Sequence, residues 1–469
     1  MFKRSTWILL GLAVAALLGY FLLDSFQQLR QQQQAERARL FHFAPDTIAR
    51  IEIRQQKDSQ PEVILLERTP EGEKGSRWRI RQPIQSAALD FPVEQLLNTF
   101  SRLTPQLTLE EANDLAAFGL DQPRQQIALF PKEGEPYRLA IGNDNFDGSG
   151  FYAQPEGGKV VLLASSQKGS LLPSLLALRD KTLLSFDRAA VKSLQVQLAE
   201  AEVVRLQRQE ETWQIVEPRV LPADDLNVDR LLSTLSRLQA VEFPAETKAE
   251  LASYGLEQPS AQLTVELKDG KTLSVALGSE KEGQVYVITS EHPAVATLLT
   301  STADILRADL EELRDHRLAR LNPNQVGQVT LELLEERVTL NPLPQEKGSL
   351  EVRWENPERP GQVVNLSSLF ASLNAARAKE FVPATDPDAQ KALAAPDLTL
   401  DITPKPETEQ EPLTLSLSSA GLRAYARSSR QPDIAVLDLS TFNSIETGVK
   451  RLLEEKGAEE GTPAPTASP

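Results

Sequence analysis

The chain has 469 residues, of which 41% are hydrophobic, and its 50 Lys and Arg against 66 Asp and Glu give a net charge of −16. This acidity argues against nucleic acid as a partner, since it repels phosphate backbones and no basic stretch interleaved with aromatics offsets it. There is no cysteine and there are three histidines, too few soft ligands for a zinc site. We predict no metal, no cofactor and no catalytic residues, because nucleophile-elbow and phosphate-loop motifs are absent from the sequence.

An uncharged apolar run from Ser5 to Leu23 follows Lys3 and Arg4. At about 1.5 Å per residue the run spans roughly 28 Å, about one hydrocarbon core. The basic residues before it and Asp24 after it predict an N-terminus in the cytoplasm and the bulk of the chain outside. A cleaved signal peptide is the alternative. The length of the run and the lack of a small-residue cleavage site favour an uncleaved anchor over residues 1–24.

Residues 25–42 are rich in Gln and Arg and contain no Gly or Pro, which predicts a helical stalk. From Ser25 to Leu40 the few apolar positions are Phe26, Leu29 and Leu40. This narrow stripe favours a solvated spacer over a stalk that packs against a partner's periplasmic helix.

The remainder of the chain is a tandem repeat. Ala117–Pro123 recurs as Ser253–Pro259, and the offset between their glycines is 255 − 119 = 136 residues. Nearly the same offset relates further pairs: Trp78 and Trp213, Gly142 and Gly278, Tyr152 and Tyr286, and Arg179-Asp180 and Arg314-Asp315. A third, degenerate copy is also present. We therefore predict a first module at residues 43–184, a second at 185–319, a third at 320–456 and a disordered tail at 457–469.

Each copy opens with strands that alternate apolar and polar residues, as in Ile48–Ile53 and Val191–Leu198. A tryptophan strand that ends at a proline comes next, followed by a helix with apolar positions at i, i+3, i+4 and i+7. The expected helices are Val93–Leu103, Val228–Leu238 and Leu366–Leu373. A hairpin and two short strands then precede an apolar helix, expected at Leu171–Leu178, Ile305–Leu313 and Ile445–Leu453.

The predicted fold class is therefore α+β, with three tandem similar modules of mostly antiparallel strands and packed helices behind one N-terminal transmembrane helix. In this scheme Gly119 and Gly255 supply a positive φ where a short helix stops, the first such helix being expected at Leu109–Phe118. A functional alternative is that Asp121 and Glu257, which follow two residues later, belong to a recurring binding surface. The structural interpretation is favoured because Gly and Pro commonly end helices.

Other candidate sites also admit two interpretations. The tryptophans at Trp78, Trp213 and Trp354 could be sugar-stacking platforms, although one per module on an alternating strand favours a core position. The Arg-Asp pairs at the ends of the first and second modules could contact a membrane partner, but charges at a helix terminus suffice to explain them. Asp224-Asp225 is the best carboxylate pair for hydrolysis, and its place before Val228 favours a helix cap.

These recurring elements resemble a bacterial family that is catalogued as a domain of unknown function. The resemblance rests on the Tyr/Phe-Gly-Leu-Asp/Glu-x-Pro turn, the Leu-Gly strand end and the Leu-Arg-Asp-Lys/His helix end. It covers residues 43–320 and is poorer in the third copy, where Ser418 replaces the strand-end glycine. It implies exported single-span proteins associated with ABC-type transporter components of the gliding-motility GldG kind. It brings no catalytic residues.

The function expected from these observations is non-enzymatic: a membrane-anchored periplasmic scaffold or accessory subunit of an ABC-type transport complex. Its expected partners are inner-membrane proteins such as a transporter permease. The first alternative is an envelope polysaccharide-binding module, which predicts the three tryptophans exposed on one face. The second is a carboxylate-dependent hydrolase, which predicts a cleft with clustered carboxylates of perturbed pKa.

Overall fold

The computed structural model describes residues 36–57, 60–70, 76–112, 114–123, 125–334, 336–344, 351–408 and 410–454. The predicted anchor, most of the predicted stalk and the predicted tail lie outside these residues. Within the described ranges, no helix combines the length and the hydropathy that a bilayer crossing requires.

The chain divides into two compact units. The first unit comprises Met1–Leu183, Gln239–Lys248 and Ala294–Thr297, and the second comprises Leu184–Leu238, Ala249–Pro293 and Leu298–Pro469. Both are α+β, with mostly antiparallel sheets that carry helices on one face.

The first large sheet has nine strands in the order β4-β3-β2-β1-β6-β7-β8-β9-β5. These strands are β1 (Ile48–Lys57), β2 (Gln60–Arg68), β3 (Trp78–Gln82), β4 (Ser86–Ala87), β5 (Leu107–Thr108), β6 (Gln125–Pro131), β7 (Tyr137–Asp144), β8 (Gly150–Pro155) and β9 (Val161–Ala164). Alternate residues such as Ile51, Ile53 and Leu129 are buried, as the period-two pattern predicts. Helix α1 (Asp90–Ser101) covers this apolar face with Val93, Leu96, Leu97 and Phe100.

The second large sheet has eight strands in the order β14-β13-β12-β11-β16-β17-β18-β19, and β10 (Thr182–Ser185) with β15 (Arg237–Gln239) forms a separate two-stranded sheet. The strands of the second sheet are β11 (Val191–Leu198), β12 (Val204–Gln209), β13 (Thr212–Glu217), β14 (Leu221–Pro222), β16 (Ala261–Leu267), β17 (Thr272–Lys281), β18 (Gln284–Thr289) and β19 (Ala296–Leu299).

The third large sheet has nine strands in the order β23-β22-β21-β20-β25-β26-β27-β28-β24. Its strands are β20 (Val326–Leu333), β21 (Glu336–Pro342), β22 (Arg353–Glu355), β23 (Val363–Asn365), β24 (Glu380–Val382), β25 (Leu398–Pro404), β26 (Leu413–Ala420), β27 (Arg423–Ser428) and β28 (Ile434–Asp438). The three large sheets therefore share one order over eight strands, which is the pattern of tandem repeat-like modules, and a ninth strand is added at the same end of the first and third sheets.

The helix after the tryptophan strand is present in each module, as α1, then α4 (Asp225–Leu235) and α7 (Ser367–Ala375). The prediction of one continuous apolar helix at the C-terminal end of each module is wrong in two modules. The helix is divided into α2 (Lys168–Leu171) and α3 (Leu175–Leu178) in the first and into α5 (Thr300–Leu306) and α6 (Leu310–Leu313) in the second. Pro173 interrupts the first, and Asp309 starts a new helix in the second by accepting a hydrogen bond from Glu312 N.

The third module keeps one long C-terminal helix, α9 (Leu439–Glu454), and adds α8 (Pro387–Ala392). The helix expected at Leu109–Phe118 is a single 3₁₀ turn, Leu115–Phe118. At its predicted start, Leu109 instead continues the edge of the first sheet, where Leu109 N donates to Val160 O.

The Gly-Leu turn packs on the strand-end glycine in both well-preserved copies. Gly119 has φ 67° and Gly255 has φ 66°, so the predicted left-handed glycine is confirmed. A Cβ on Gly142 would lie 2.1 Å from Phe118 O, and one on Gly278 would lie 2.2 Å from Tyr254 O. In each copy, one recurring glycine lies in the turn and the other lies in the strand that the turn contacts. No side chain fits between the turn and the strand at this point.

Candidate interaction surface

The three tryptophans proposed from the sequence as binding candidates are buried: Trp78 is 0%, Trp213 5% and Trp354 1% exposed. Trp354 packs edge-on against Phe370 with ring centroids 5.8 Å apart. A ring with no accessible face cannot stack on a sugar, so these side chains contribute to the module cores.

Asp121 and Glu257, the other two candidates, are both exposed. Each follows a buried leucine, Leu120 or Leu256, that fixes the Gly-Leu turn against its strand. The turn therefore places one carboxylate at the surface of each of these two modules, while the leucine before it packs against the strand.

The adjacent carboxylates Asp224 and Asp225 form hydrogen bonds and an ion pair within the protein. Asp224 Oδ1 accepts from Leu226 N at 2.9 Å and from Asn227 N at 3.3 Å, which makes it the N-cap of α4. Asp225 accepts from Trp213 N at 2.9 Å and pairs with Arg320 at 2.6 Å. Both side chains thus fix the start of the helix.

An exposed apolar side chain occupies the second position of the helix in the first two modules. Phe91 in α1 is 76% exposed and Leu226 in α4 is 77% exposed. Neither belongs to the buried helix face, and the first turn of a helix ordinarily favours polar or acidic residues. The two copies therefore expose an apolar side chain at equivalent positions. The aligned sequences of the two copies already contain this apolar position, at Phe91 and Leu226.

The first turn that carries each of these side chains is held rigidly. Asp90, which precedes Phe91, accepts from Ser76 Oγ and Arg77 N, each at 2.8 Å. Asp225, which precedes Leu226, has the two contacts given above. A phenylalanine or leucine on a fixed backbone loses little freedom on binding, which suits an interface anchor.

The arginines of the two Arg-Asp motifs are buried. In the first unit, Arg179 lies 3.5 Å above the Phe243 ring and pairs with Glu246 at 2.8 Å. In the second unit, Arg314 lies 3.4 Å above the Phe381 ring and is 1% exposed. Each arginine joins the end of one module's strand-and-helix sequence to a phenylalanine in the next, so neither is free to contact a membrane partner.

Two further charges complete the buried cluster around Arg314. Its guanidinium lies 3.1 Å from Asp433 Oδ2, and Arg219 lies 2.6 Å from the same oxygen. Asp433 is itself buried. Arg314 also pairs with Glu311 at 3.3 Å, so two carboxylates face two arginines inside the second unit.

Asp315 sits beside this cluster and is held ionised by its neighbours. Burial works to raise its pKa, but hydrogen bonds from Arg317 Nε at 2.9 Å and Arg320 Nε at 2.7 Å outweigh burial and hold the pKa below the ordinary 3.8. The ionised carboxylate therefore stabilises the folded state.

Replacing Asp315 by asparagine should destabilise the protein at neutral pH and lose this effect in acid. Because the folded pKa is depressed, the stabilisation is present above the unfolded pKa of about 3.9 and is lost as pH falls through the folded value. Urea unfolding at pH 7, 5, 4 and 3 should show a constant gap between wild type and Asp315→Asn down to about pH 5 that then closes. A gap that widens in acid would contradict this account.

The segments that lead into the first and third modules make similar backbone hydrogen bonds. Leu40 N donates to Leu103 O at 2.9 Å, and Leu318 N donates to Ala376 O at 3.2 Å. Phe41 is buried and stacks on Phe100 with centroids 4.5 Å apart. The last residues of the predicted stalk therefore pack into the core of the first module.

Comparison with family models gives a match over most of the repeat region. A family described as Domain of unknown function (DUF4340) matches residues 78–212 and 213–396, which together make up more than half of the chain. The matched segments begin at Trp78 and Trp213, two equivalent positions of the repeat. Comparison with curated proteins finds no match.

Proposed function

Because the chain belongs to the DUF4340 family, a domain of unknown function, we propose its role from its own geometry. It is a non-enzymatic scaffold or accessory subunit, anchored in the bacterial inner membrane, whose periplasmic modules bind membrane-protein partners. The observation that carries the proposal is the exposed apolar residue at one repeated position, Phe91 and Leu226.

The energetics support a partner contact at these positions. Fully burying a phenylalanine or leucine yields about 1.5–3 kcal/mol, and exposed in the monomer it stabilises nothing. A few such anchors supply most of the affinity in ordinary interfaces. Two copies on equivalent helices would let one partner surface be recognised twice, with a gain in avidity.

The proposed location follows from the sequence. The apolar run at residues 5–23 has the length of a membrane span, with Lys3 and Arg4 on the side that usually stays in the cytoplasm. The packing of Phe41 against Phe100 fixes the point at which the chain from such an anchor joins the first module. An anchor joined at that point would keep the modules near partners in the same membrane.

The proposed partner is an ABC-type transporter permease. This choice rests on the resemblance of the repeat motifs to proteins associated with GldG-type transporter components. The net charge of −16 supports a protein partner over nucleic acid or an anionic lipid surface.

The hydrolase alternative receives little support from the carboxylates. Hydrogen bonds from Ser149 lower the pKa of Asp147, and those from Lys192 and Ser193 lower the pKa of Glu266. The pKa of Asp315 is lowered as well. A general acid in glycoside hydrolysis requires the opposite direction.

Replacing both Phe91 and Leu226 by serine should abolish partner capture without unfolding the protein. Full-length tagged protein would be solubilised gently from its native membrane and co-purifying chains identified by mass spectrometry. We expect permease and ATPase subunits in stoichiometric yield with wild type and at least a tenfold loss with the double variant, equivalent to about 1.4 kcal/mol or more. Urea unfolding should change by under about 0.5 kcal/mol because both side chains are exposed.

The matched control is Phe146→Ser with Leu422→Ser, since both residues are also highly exposed but lie at hairpin tips. This control should retain the partners. A second comparison removes residues 1–35 and stops before Glu36, so that Phe41 keeps its place in the core. Wild-type protein that purifies alone would overturn the scaffold proposal, and equal loss in both serine pairs would overturn the assignment of the surface.

A further inference from the structure

A groove lies on the open face of the first sheet, opposite the helices, with a volume of about 470 Å³. Ala128 on β6 and Ala140 on β7 form its floor. Ala128 is paired with Glu52 and Arg138, and Ala140 with Gln126 and Gln154, so each small residue lies between two long ones. The depression follows from this alternation of side-chain length on neighbouring strands.

The walls of the groove belong to β1 and β8. Glu52 and Arg54 stand on β1, and Gln154 on β8 with the following Glu156 stands on the other side. Three strand spacings of about 4.8 Å separate these walls, or about 14 Å. Both the volume and the width suit a small ligand, since ligand sites commonly measure roughly 300–1,000 Å³.

The charges in the walls are paired, so the groove is close to neutral. Arg54 pairs with Glu52, and Arg138 pairs with Glu156 at 2.7 Å. The Gln126 amide is exposed and has no hydrogen bond to any residue that the structure describes. Arg50 covers Phe130 at 3.8 Å, which makes this ring a wall and not an open stacking platform.

We propose that this groove binds a neutral oligosaccharide. Amide, guanidinium and carboxylate ends carry forked donors and acceptors, which match the paired hydroxyls of a sugar ring. The site is distinct from Phe91 and Leu226, so it is independent of the proposed partner contact.

Two other ligand classes fit the groove less well. An anionic ligand would have to displace a glutamate from each arginine, against the field of an acidic chain. A peptide adding as a strand needs an open sheet edge, but β6 and β7 lie inside the sheet with neighbours on both sides.

The second module has different residues at the positions that line this groove. In the second, the register places Gln195 and Gln197 at the positions of Glu52 and Arg54. Thr264 stands at the position of Ala128, paired with Ser274 where the first module has Arg138. A threonine is larger than an alanine and would make the groove shallower. Ala128→Thr therefore tests the site with a residue that the second module already has at this position.

The test is calorimetric titration of the full-length chain, in a detergent without sugar headgroups, with chitotriose, cellotriose and maltotriose. Trigalacturonic acid is the anionic comparator. We expect at least one neutral trisaccharide to bind, Ala128→Thr to weaken it at least tenfold, and Gln126→Ala to weaken it about threefold. Ala128→Thr should keep wild-type unfolding, because threonine suits a strand and is the residue of the second module.

Three outcomes would overturn the proposal. These are failure of all three neutral sugars to bind wild type, unchanged affinity in Ala128→Thr, or tighter binding of the anionic trisaccharide. If Ala128→Thr also shifted the unfolding midpoint, Gln126→Ala would decide the question, since this side chain is exposed and makes no hydrogen bond to a described residue. The Phe91→Ser and Leu226→Ser double variant should bind the sugar normally, which separates this site from the partner surface.

Discussion

Gly142→Ala should lower the free energy of unfolding of the first module by about 3 kcal/mol, the upper part of the usual range for overpacking. The added Cβ would lie 2.1 Å from Phe118 O and 3.1 Å from Leu120 Cγ. The Phe118 carbonyl cannot move away freely, because two backbone hydrogen bonds hold the 3₁₀ turn around it. Gly119 N donates to Ala116 O, and Leu120 N donates to Leu115 O. The substitution therefore separates the turn from its strand.

The measurement should resolve single modules, because a chain with two compact units need not unfold in one transition. Hydrogen exchange followed by mass spectrometry gives that resolution. Peptides that cover β6 and β7 should exchange faster in Gly142→Ala, by roughly the hundredfold that 3 kcal/mol implies. In Gly278→Ala the effect should move to β16 and β17.

The matched control is Gly169→Ala in α2. A Cβ at Gly169 would have no heavy atom within 4 Å, and an alanine in a helix is favoured over glycine by about 1 kcal/mol or less. This variant should exchange at the wild-type rate or more slowly. Equal effects of the two alanines would show that general backbone stiffening, and not the close contact, governs exchange.

The sequence contained the local parts of this architecture. Period-two alternation located strands such as β1 and β11, and the Gly-Leu motif correctly required a positive φ at Gly119 and Gly255. The capping role predicted for Asp224 is confirmed by its bonds to Leu226 N and Asn227 N. These features depend on residues close together in sequence, which is why periodicity and spacing reveal them.

Contacts between distant segments could not be predicted in this way. The burial of Arg314 depends on Phe381 and Asp433, which the third module supplies. The groove on the first sheet depends on the register of four strands, since Ala128 is unremarkable until Glu52 and Arg138 are known to flank it. The third module shows the same limit. Ser418 replaces the strand-end glycine. Its hydroxyl donates a hydrogen bond to Asp397 Oδ2 at 3.2 Å, a contact that takes the place of the turn in the other modules.

Arg314→Ala should cost about 3–5 kcal/mol, the usual penalty for breaking a buried ion pair. The change removes a guanidinium that stacks on Phe381 at 3.4 Å and pairs with Asp433 at 3.1 Å. Arg219 remains bound to Asp433, so the lower end of that range is expected. Arg314→Lys should recover little, because an ammonium has neither the flat face nor the fork of a guanidinium.

Arg423→Ala is the control that isolates burial as the cause. Arg423 pairs with Glu380 at the same 3.1 Å, but the two side chains are 62% and 56% exposed, against 1% and 5% for Arg314 and Asp433. Exposed pairs contribute about 0–1 kcal/mol, so Arg423→Ala should leave urea unfolding of the third module nearly unchanged. If Arg314→Ala proved as mild as Arg423→Ala, the Leu-Arg-Asp motif would not join successive modules, and its recurrence would need a role outside the fold.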